Sequence, residues 1–159
     1  MKFTQHIANN LQKVYFGGNW TASNLKDQLK DVDFQMATYT IAGLNTILSL
    51  TFHIHYYLKG TMDVLKGGDL TIRDQYSFDH PQLQNEEEWQ AFLSNIWTEA
   101  KEFIVHIEAL EDEILETYLA EEKYGTYFRN LVGIIEHTHY HLGQIAIIKK
   151  MIKSRDKRS

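Results

Sequence analysis

The sequence predicts an all-α protein, a four-helix bundle, from two observations. Apolar residues recur at helical spacing over long stretches, and no strand-like alternation of apolar and polar residues persists. Residues that interrupt helices are sparse, with 1 proline and 9 glycines in 159 residues. Four long helical segments in a chain of this length favour one bundle, in which the connections after the first two helices are longer than an up-and-down bundle needs.

The first long helix is predicted over residues 2–16, with its inner side marked by apolar residues three and four positions apart. Residues 17–19, Gly-Gly-Asn, end it because glycine readily adopts the conformation that closes a helix. Thr21 or Ser23 is then expected to cap a short helix that runs to about Leu29.

The second long helix is predicted over residues 45–66, with Asn45 as its N-cap, and a loop follows over residues 69–85. The stretch 34–58 carries no charged residue and is long enough to span a bilayer. It nevertheless contains histidine, tyrosine, threonine and asparagine side chains, each of which would need a hydrogen-bond partner in lipid. We therefore expect a helix buried among other helices and no membrane partner.

Two further long helices complete the predicted bundle. The third is expected over residues 86–110, where Asn85 can cap the first turn and three consecutive glutamates suit the positive end of the helix dipole. Thr126 is expected to cap the fourth helix, which reaches about Lys153.

Composition and charge are those of an ordinary globular protein. Hydrophobic residues make up 43% of the chain and charged residues 23%, so we predict a single domain over residues 1–155. The basic residues at the C-terminus are predicted to run into a frayed tail over residues 156–159. The net charge of −5 argues against a nucleic-acid partner.

The chain contains no cysteine. No disulfide can form, and the N-terminal residues lack the apolar run of a signal peptide, so we expect a cytoplasmic location. The absence of cysteine also limits the chemistry. Any metal site must use nitrogen and oxygen ligands, and any thiol chemistry must use a thiol from outside the chain.

The most informative segment is residues 136–144, which read Glu-His-Thr-His-Tyr-His-Leu-Gly-Gln. His137 and His141 are four residues apart, so on a helix they lie about 40° apart on one face. Two imidazoles stacked in this way can direct lone pairs at one metal ion. His139 lies on the opposite side of the helix and cannot join them, so a third ligand must come from elsewhere.

The predicted second helix offers two candidates for that third ligand, His53 and His55. They are two residues apart and point to nearly opposite sides, so only one of them can take part. His55 falls within an apolar stripe, whereas His53 falls within an uncharged polar stripe that also contains Ser49 and Tyr57. Periodicity alone therefore makes His55 a core residue and His53 a pocket or surface residue, and it leaves the choice open.

Other residues of the last predicted helix bear on the same site. Gly133 lies one turn before His137, where it either permits close helix packing or leaves room for a ligand. Glu136 and Gln144 could each accept a hydrogen bond from a ligand imidazole and so fix its tautomer.

Four segments together resemble the DinB-like superfamily of metal-binding four-helix bundles. They are Phe-His-Ile at 52–54 in the second helix, His-x-x-x-His-x-Gly-Gln at 137–144 in the last, Gly-Asn-Trp at 18–20 and Tyr-Gly-Thr at 124–126. The resemblance extends over essentially the whole chain in helix order and helix length. The motif in the last helix is its most specific part.

The resemblance implies that His53, His137 and His141 hold a divalent metal ion, commonly zinc or nickel. Superfamily members with a known activity include thiol transferases, which use the metal to activate a low-molecular-weight thiol. Many relatives have arginine where this chain has Leu142, so a cationic contact for an acidic substrate is not carried over.

We therefore predict an open three-histidine metal site and a metal-dependent enzyme that acts on a small molecule by thiol S-transfer or hydrolysis. One alternative is a non-catalytic metal-binding or stress-response bundle protein, and another is an ion that only stabilises the fold. No residue stands out as a general base, so no catalytic residue is assigned. Apolar residues on the first and third helices suggest a homodimer.

Overall fold

The structure is a computed structural model that describes the backbone of residues 1–156 and the side chains of residues 1–155. Within this part of the chain the protein is helical, with no β-strand and a single antiparallel bridge between Tyr118 and Thr126. The α-helices are α1 (Phe3–Phe16), α2 (Leu25–Leu29), α3 (Phe34–Thr38), α4 (Ile47–Leu65), α5 (Glu86–Glu108) and α6 (Tyr127–Asp156).

The four long helices pack around one apolar core. Helix α1 contacts α5 and α6, and α4 contacts the same two helices, so α1 and α4 occupy diagonal corners. Trp89, Tyr15 and Phe103 are among the largest fully buried side chains of this core. The predicted all-α class is therefore confirmed, and α4 and α6 are neighbours with a shared face.

Two predicted helix starts are confirmed by their capping hydrogen bonds. The Asn85 side chain accepts from the backbone N–H of Glu88 at 2.9 Å at the start of α5. The hydroxyl oxygen of Thr126 accepts from the backbone N–H of Arg129 at 3.2 Å at the start of α6. Both caps satisfy N–H groups that have no partner within their own helix.

Two other predicted caps are wrong. Thr46, not Asn45, caps α4, because its hydroxyl oxygen accepts from the backbone N–H of Ser49. Asn24, rather than either upstream hydroxyl residue, caps α2 by accepting from the backbone N–H of Asp27. Neighbouring residues of similar capping strength cannot be separated by sequence preference alone.

The ends of two segments also differ from expectation. The uncharged stretch 34–58 is divided between α3, which was not predicted, a connection and the first part of α4. No helix in the described part of the chain is both long enough and apolar enough to cross a membrane. Helix α6 continues to Asp156, past the predicted end at Lys153, and residues 157–159 of the predicted tail lie outside the described residues.

The long connection between α4 and α5 folds back onto α4. The Tyr56 hydroxyl donates to the backbone carbonyl of Arg73 at 2.9 Å and accepts from the Arg73 N–H at 2.8 Å. Gly60 permits this close approach, because a methyl group there would lie 2.5 Å from the Ile72 side chain. The connection therefore lies against the outer face of α4, where it carries residues 74–78 to the candidate site.

Candidate metal centre

The structure brings together the three histidines that the resemblance implied as metal ligands. His137 and His141, one turn apart on α6, have ring centroids 4.5 Å apart. His53 on the neighbouring α4 lies 4.8 Å from the first ring and 4.7 Å from the second. One nitrogen from each ring falls within a cluster in which all separations are at most 4.8 Å.

Two of these imidazoles are oriented by carbonyl oxygens. The Nδ1 of His53 lies 3.1 Å from the backbone oxygen of Ser77, and the Nδ1 of His141 lies 2.6 Å from Oε1 of Gln144. A carbonyl oxygen can only accept, so each Nδ1 carries the proton and each Nε2 keeps its lone pair. This is the arrangement that metal-ligating histidines adopt.

The spacing of the Nε2 atoms also suits one ion. The Nε2 atoms of His53 and His137 are 3.0 Å apart. Two nitrogens bound to one tetrahedral zinc ion are roughly 3.3 Å apart, given ordinary zinc–nitrogen distances. Only a small adjustment separates the two arrangements for this pair, and a nitrogen of His141 lies within 4.8 Å of the other two rings' nitrogens, close enough to share one divalent cation.

The cluster is electrically neutral at neutral pH. Burial lowers the pKa of His137 to about 4, assisted by the two neighbouring imidazoles. Burial likewise lowers the pKa of His53 and of His141. No carboxylate belongs to the cluster among the residues described. Neutral imidazole is the form that binds a metal, so no proton has to leave these rings before an ion enters.

Aromatic side chains enclose the cluster on the α4 side. Phe78 stacks on the His53 ring with a centroid distance of 4.0 Å and an interplanar angle of 7°. The edge of Tyr57 meets both His53 and His137, at centroid distances of 5.2 and 5.0 Å. These rings keep bulk water from that side of the imidazoles.

A pocket of about 380 Å³ opens beside His137. Gly133, one turn earlier on α6, forms part of its wall, and a methyl group there would meet no atom within 4 Å. The alternative of close helix packing at Gly133 is therefore wrong, because none of the residues that the structure describes packs against it. Its small size leaves space next to the histidines instead.

A hydrogen-bonded pair that the sequence did not reveal also lines this pocket. The Tyr57 hydroxyl donates to Oδ1 of Asp74 at 3.0 Å. Burial is the main cause that raises the pKa of the Tyr57 phenol, and the neighbouring carboxylate adds to it. The polar stripe containing His53 was a signal for Tyr57, whereas Asp74 lies in a connection whose path the sequence does not show.

The remaining candidate residues lie elsewhere. His55 is buried, and its Nε2 pairs with the carboxylate of Glu99 on α5. The prediction from periodicity that His55 is a core residue is therefore confirmed. His139 lines a separate surface pocket together with Trp20 and does not belong to the cluster. Glu136 is exposed, and within the described residues it makes no hydrogen bond to an imidazole, whereas Gln144 does.

Compared with family models, with curated proteins and with solved structures, the chain has no match in any of the three. Membership of the DinB-like superfamily therefore stays a prediction that rests on the quoted sequence segments. The three neighbouring histidines are a feature of this chain's own structure.

Proposed function

We propose that the protein binds a divalent metal ion through His53, His137 and His141 and is a metal-dependent enzyme of the DinB-like kind that acts on a small molecule. The observation that carries the proposal is the convergence of three neutral imidazoles beside an open pocket. An all-nitrogen ligand set of this kind suits zinc or nickel.

The site has the character of an open centre rather than a structural one. Structural zinc sites are closed by four protein ligands, whereas catalytic sites have three and leave a position for water or substrate. Among the described residues the cluster contains three candidate ligands and no fourth. The pocket beside His137 gives a small molecule access to that position.

When bound, a divalent ion would lower the pKa of a water or thiol that it holds, so that the deprotonated nucleophile is available at neutral pH. Ser77 and Gln144 keep two of the imidazoles in their binding tautomer. The rings of Phe78 and Tyr57 exclude water from one side. Because the chain has no cysteine, a thiol would enter as a cosubstrate.

Asp74 supplies a proton acceptor for this chemistry. It is the one carboxylate among the described residues that line the pocket, and the Tyr57 hydroxyl holds its Oδ1. In a thiol transfer, a sulfur–carbon bond forms while the leaving group departs with its electron pair, and Asp74 takes the thiol proton. In a hydrolysis, the oxygen of water forms the new bond to the substrate, the leaving group departs with its electron pair, and Asp74 takes the water proton.

The metal site is tested by elemental analysis of protein purified without chelator and by titration of the metal-free protein with zinc and nickel. We expect about one ion per chain, with His137→Ala and His141→Ala each abolishing binding. His139→Ala is the matched control on the same helix and should bind as the unaltered protein does. Absence of any uptake would remove the metal centre.

The enzymatic part is tested separately by screening electrophiles with small thiols and following thiol loss. We expect turnover that requires the added ion and that falls in Asp74→Asn without loss of zinc. Turnover that persists in the metal-free protein would contradict the mechanism. Stoichiometric metal binding without turnover of any substrate would instead favour a non-catalytic metal-binding or stress-response protein.

A further inference from the structure

We propose that Arg129 binds the carboxylate end of an elongated small molecule whose other end reacts at the three-histidine site. The pocket would then select carboxylates over neutral molecules of the same shape. This inference rests on the proposed function, because it names the class of ligand that the same site accepts.

Arg129 shares one helix face with the candidate metal ligands. It lies in the first turn of α6, and Gly133 and His137 follow at intervals of four residues. All three residues line the same pocket. Eight residues of helix separate the guanidinium's residue from the imidazole's, a rise of about 12 Å.

The guanidinium has no partner within the described part of the chain. Arg129 is exposed and makes neither an ion pair nor a side-chain hydrogen bond there, whereas Lys59 and Lys149, for example, are paired with acidic residues. Asp74, the carboxylate on the same pocket, forms no ion pair with Arg129 and is held by Tyr57 instead.

The backbone makes room for this side chain. Gly125, just before α6, has a φ of 82°, and a methyl group there would lie 2.8 Å from Cδ and 3.0 Å from Nη1 of Arg129. The arginine side chain therefore lies directly against the glycine. Any larger residue at Gly125 would be strained by its backbone and would displace the guanidinium.

The pocket between the two polar ends is mostly apolar. Its wall includes four aliphatic side chains, namely Leu70, Ile72, Leu119 and Ile134. A volume of about 380 Å³ is near the lower end of the range for small-molecule sites. The complementary ligand has a nucleophilic or electrophilic group at the histidines, an apolar middle, and an anion at Arg129.

A carboxylate is the anion that this geometry favours. The planar guanidinium presents paired N–H donors that match the two oxygens of a carboxylate. The carboxylate of Asp74, held by Tyr57, repels an anion in its own part of the pocket, so the charged end is directed toward Arg129. Leu142 cannot serve this purpose, because it is apolar and buried.

The test compares two probes of equal length, mercaptooctanoate and mercaptooctanol, by calorimetric titration of the zinc-loaded protein. We expect the carboxylate to bind roughly 5–10-fold more tightly, the effect of one charge-assisted contact at a partly exposed site. Arg129→Gln should remove this preference, and Arg129→Lys should retain part of it. Arg73→Gln is the matched control, since Arg73 is an exposed cation on the neighbouring connection that does not line the pocket.

Zinc titration of each variant precedes the probe measurement, and equal zinc stoichiometry shows that the variant is folded. Equal affinities for the two probes, binding of neither probe, or a preference that survives in Arg129→Gln would each overturn the assignment of Arg129 while leaving the metal centre intact. Failure of the unaltered protein to take up zinc would instead overturn the proposed function.

Discussion

The two histidines of α4 are nearly equally buried, but the groups that they contact differ. His53 is 8% exposed and His55 is 6% exposed, and only one residue separates them. His53 faces two imidazoles on α6, and no carboxylate among the described residues belongs to that cluster. His55 faces α5, where Glu99 contacts both its Nε2 and, at 3.0 Å, the Nζ of Lys59.

The comparison shows that the partner of a buried histidine, rather than its burial, decides what the residue can do. The carboxylate of Glu99 already pairs with Nε2 of His55, so this pair serves the packing of α4 on α5. The cluster around His53 brings the Nε2 atoms of His53 and His137 within 3.0 Å of each other, with no carboxylate among the described residues of the cluster. Only the second arrangement is improved by a positive ion.

The largest expected difference between the two faces is in metal affinity. His53→Ala should weaken zinc binding by more than about 100-fold, because even a group that only hydrogen-bonds to a ligand is worth about 10–100-fold in affinity. His55→Ala should leave the affinity unchanged, since its ring points toward α5. Competition titration with a chelator of known affinity measures both. Equal losses of zinc affinity in the two variants would mean that His53 alone is not the ligand from α4.

The orientation of the ligands should matter less than their presence. Gln144→Ala removes the acceptor for Nδ1 of His141 and should reduce zinc affinity about 10-fold. Glu136→Ala is the matched control, because this exposed residue precedes His137 directly yet contacts no imidazole in the described part of the chain. A larger effect at position 136 than at 144 would contradict the assigned tautomer.

The pair of His55 and Glu99, between α4 and α5, should affect the stability of the protein and the dependence of that stability on pH. The hydrogen bond from His55, assisted by Lys59, holds the pKa of Glu99 at about 2 instead of its ordinary 4.5. A carboxyl group whose pKa is lowered by folding stabilises the protein above its ordinary pKa, and this contribution is lost as the pH falls from about 4.5 toward 2.

Glu99→Gln should therefore lower the free energy of unfolding at neutral pH by about 1–3 kcal/mol, because a neutral acceptor replaces the charged one in the hydrogen bonds to His55 and Lys59. The difference in the free energy of unfolding between this variant and the unaltered protein should narrow as the pH falls from about 4.5 toward 2. Urea unfolding at several pH values measures it. If the difference in the free energy of unfolding stays constant with pH, or if Glu99→Gln loses zinc affinity, then the claim that Glu99 acts on stability and not on the metal site is wrong.

The smallest expected effect concerns the two glycines of α6. Gly133→Ala and Gly143→Ala should each stabilise the protein by about 0.5–1 kcal/mol, because alanine favours helix and a methyl group meets nothing at either position. Only Gly133 lines the pocket, so only its substitution should weaken binding of mercaptooctanoate. Thermal unfolding and calorimetry distinguish the two. The pocket assignment fails if both variants bind the probe equally.

The sequence predicts those features of the fold and the site that depend on residues close together in the chain. The His137 and His141 pair follows from helical spacing, and the Asn85 and Thr126 caps follow from side chains that accept backbone N–H groups. The choice of His53 over His55 depends on which helix faces which side of α4. This is a tertiary fact that periodicity alone left open.

The parts of the site that the sequence missed lie where the chain path is not set by local preference. Asp74 reaches the pocket because Tyr56 and Gly60 allow the long connection to fold back on α4. Arg129 has no acidic partner within the described residues, and this depends on the fold around the start of α6, which the sequence does not show. An unpaired charge cannot be recognised before all its neighbours are known.

One contact joins the connection after α4 to the chemistry. The backbone oxygen that orients His53 belongs to Ser77, and Phe78 covers the same ring. Because linkage is reciprocal, if the packing of residues 74–78 against His53 strengthens metal binding, a bound ion stabilises that packing by the same free energy. A protease that cleaves this connection should therefore digest the metal-free protein sooner than the metal-loaded protein.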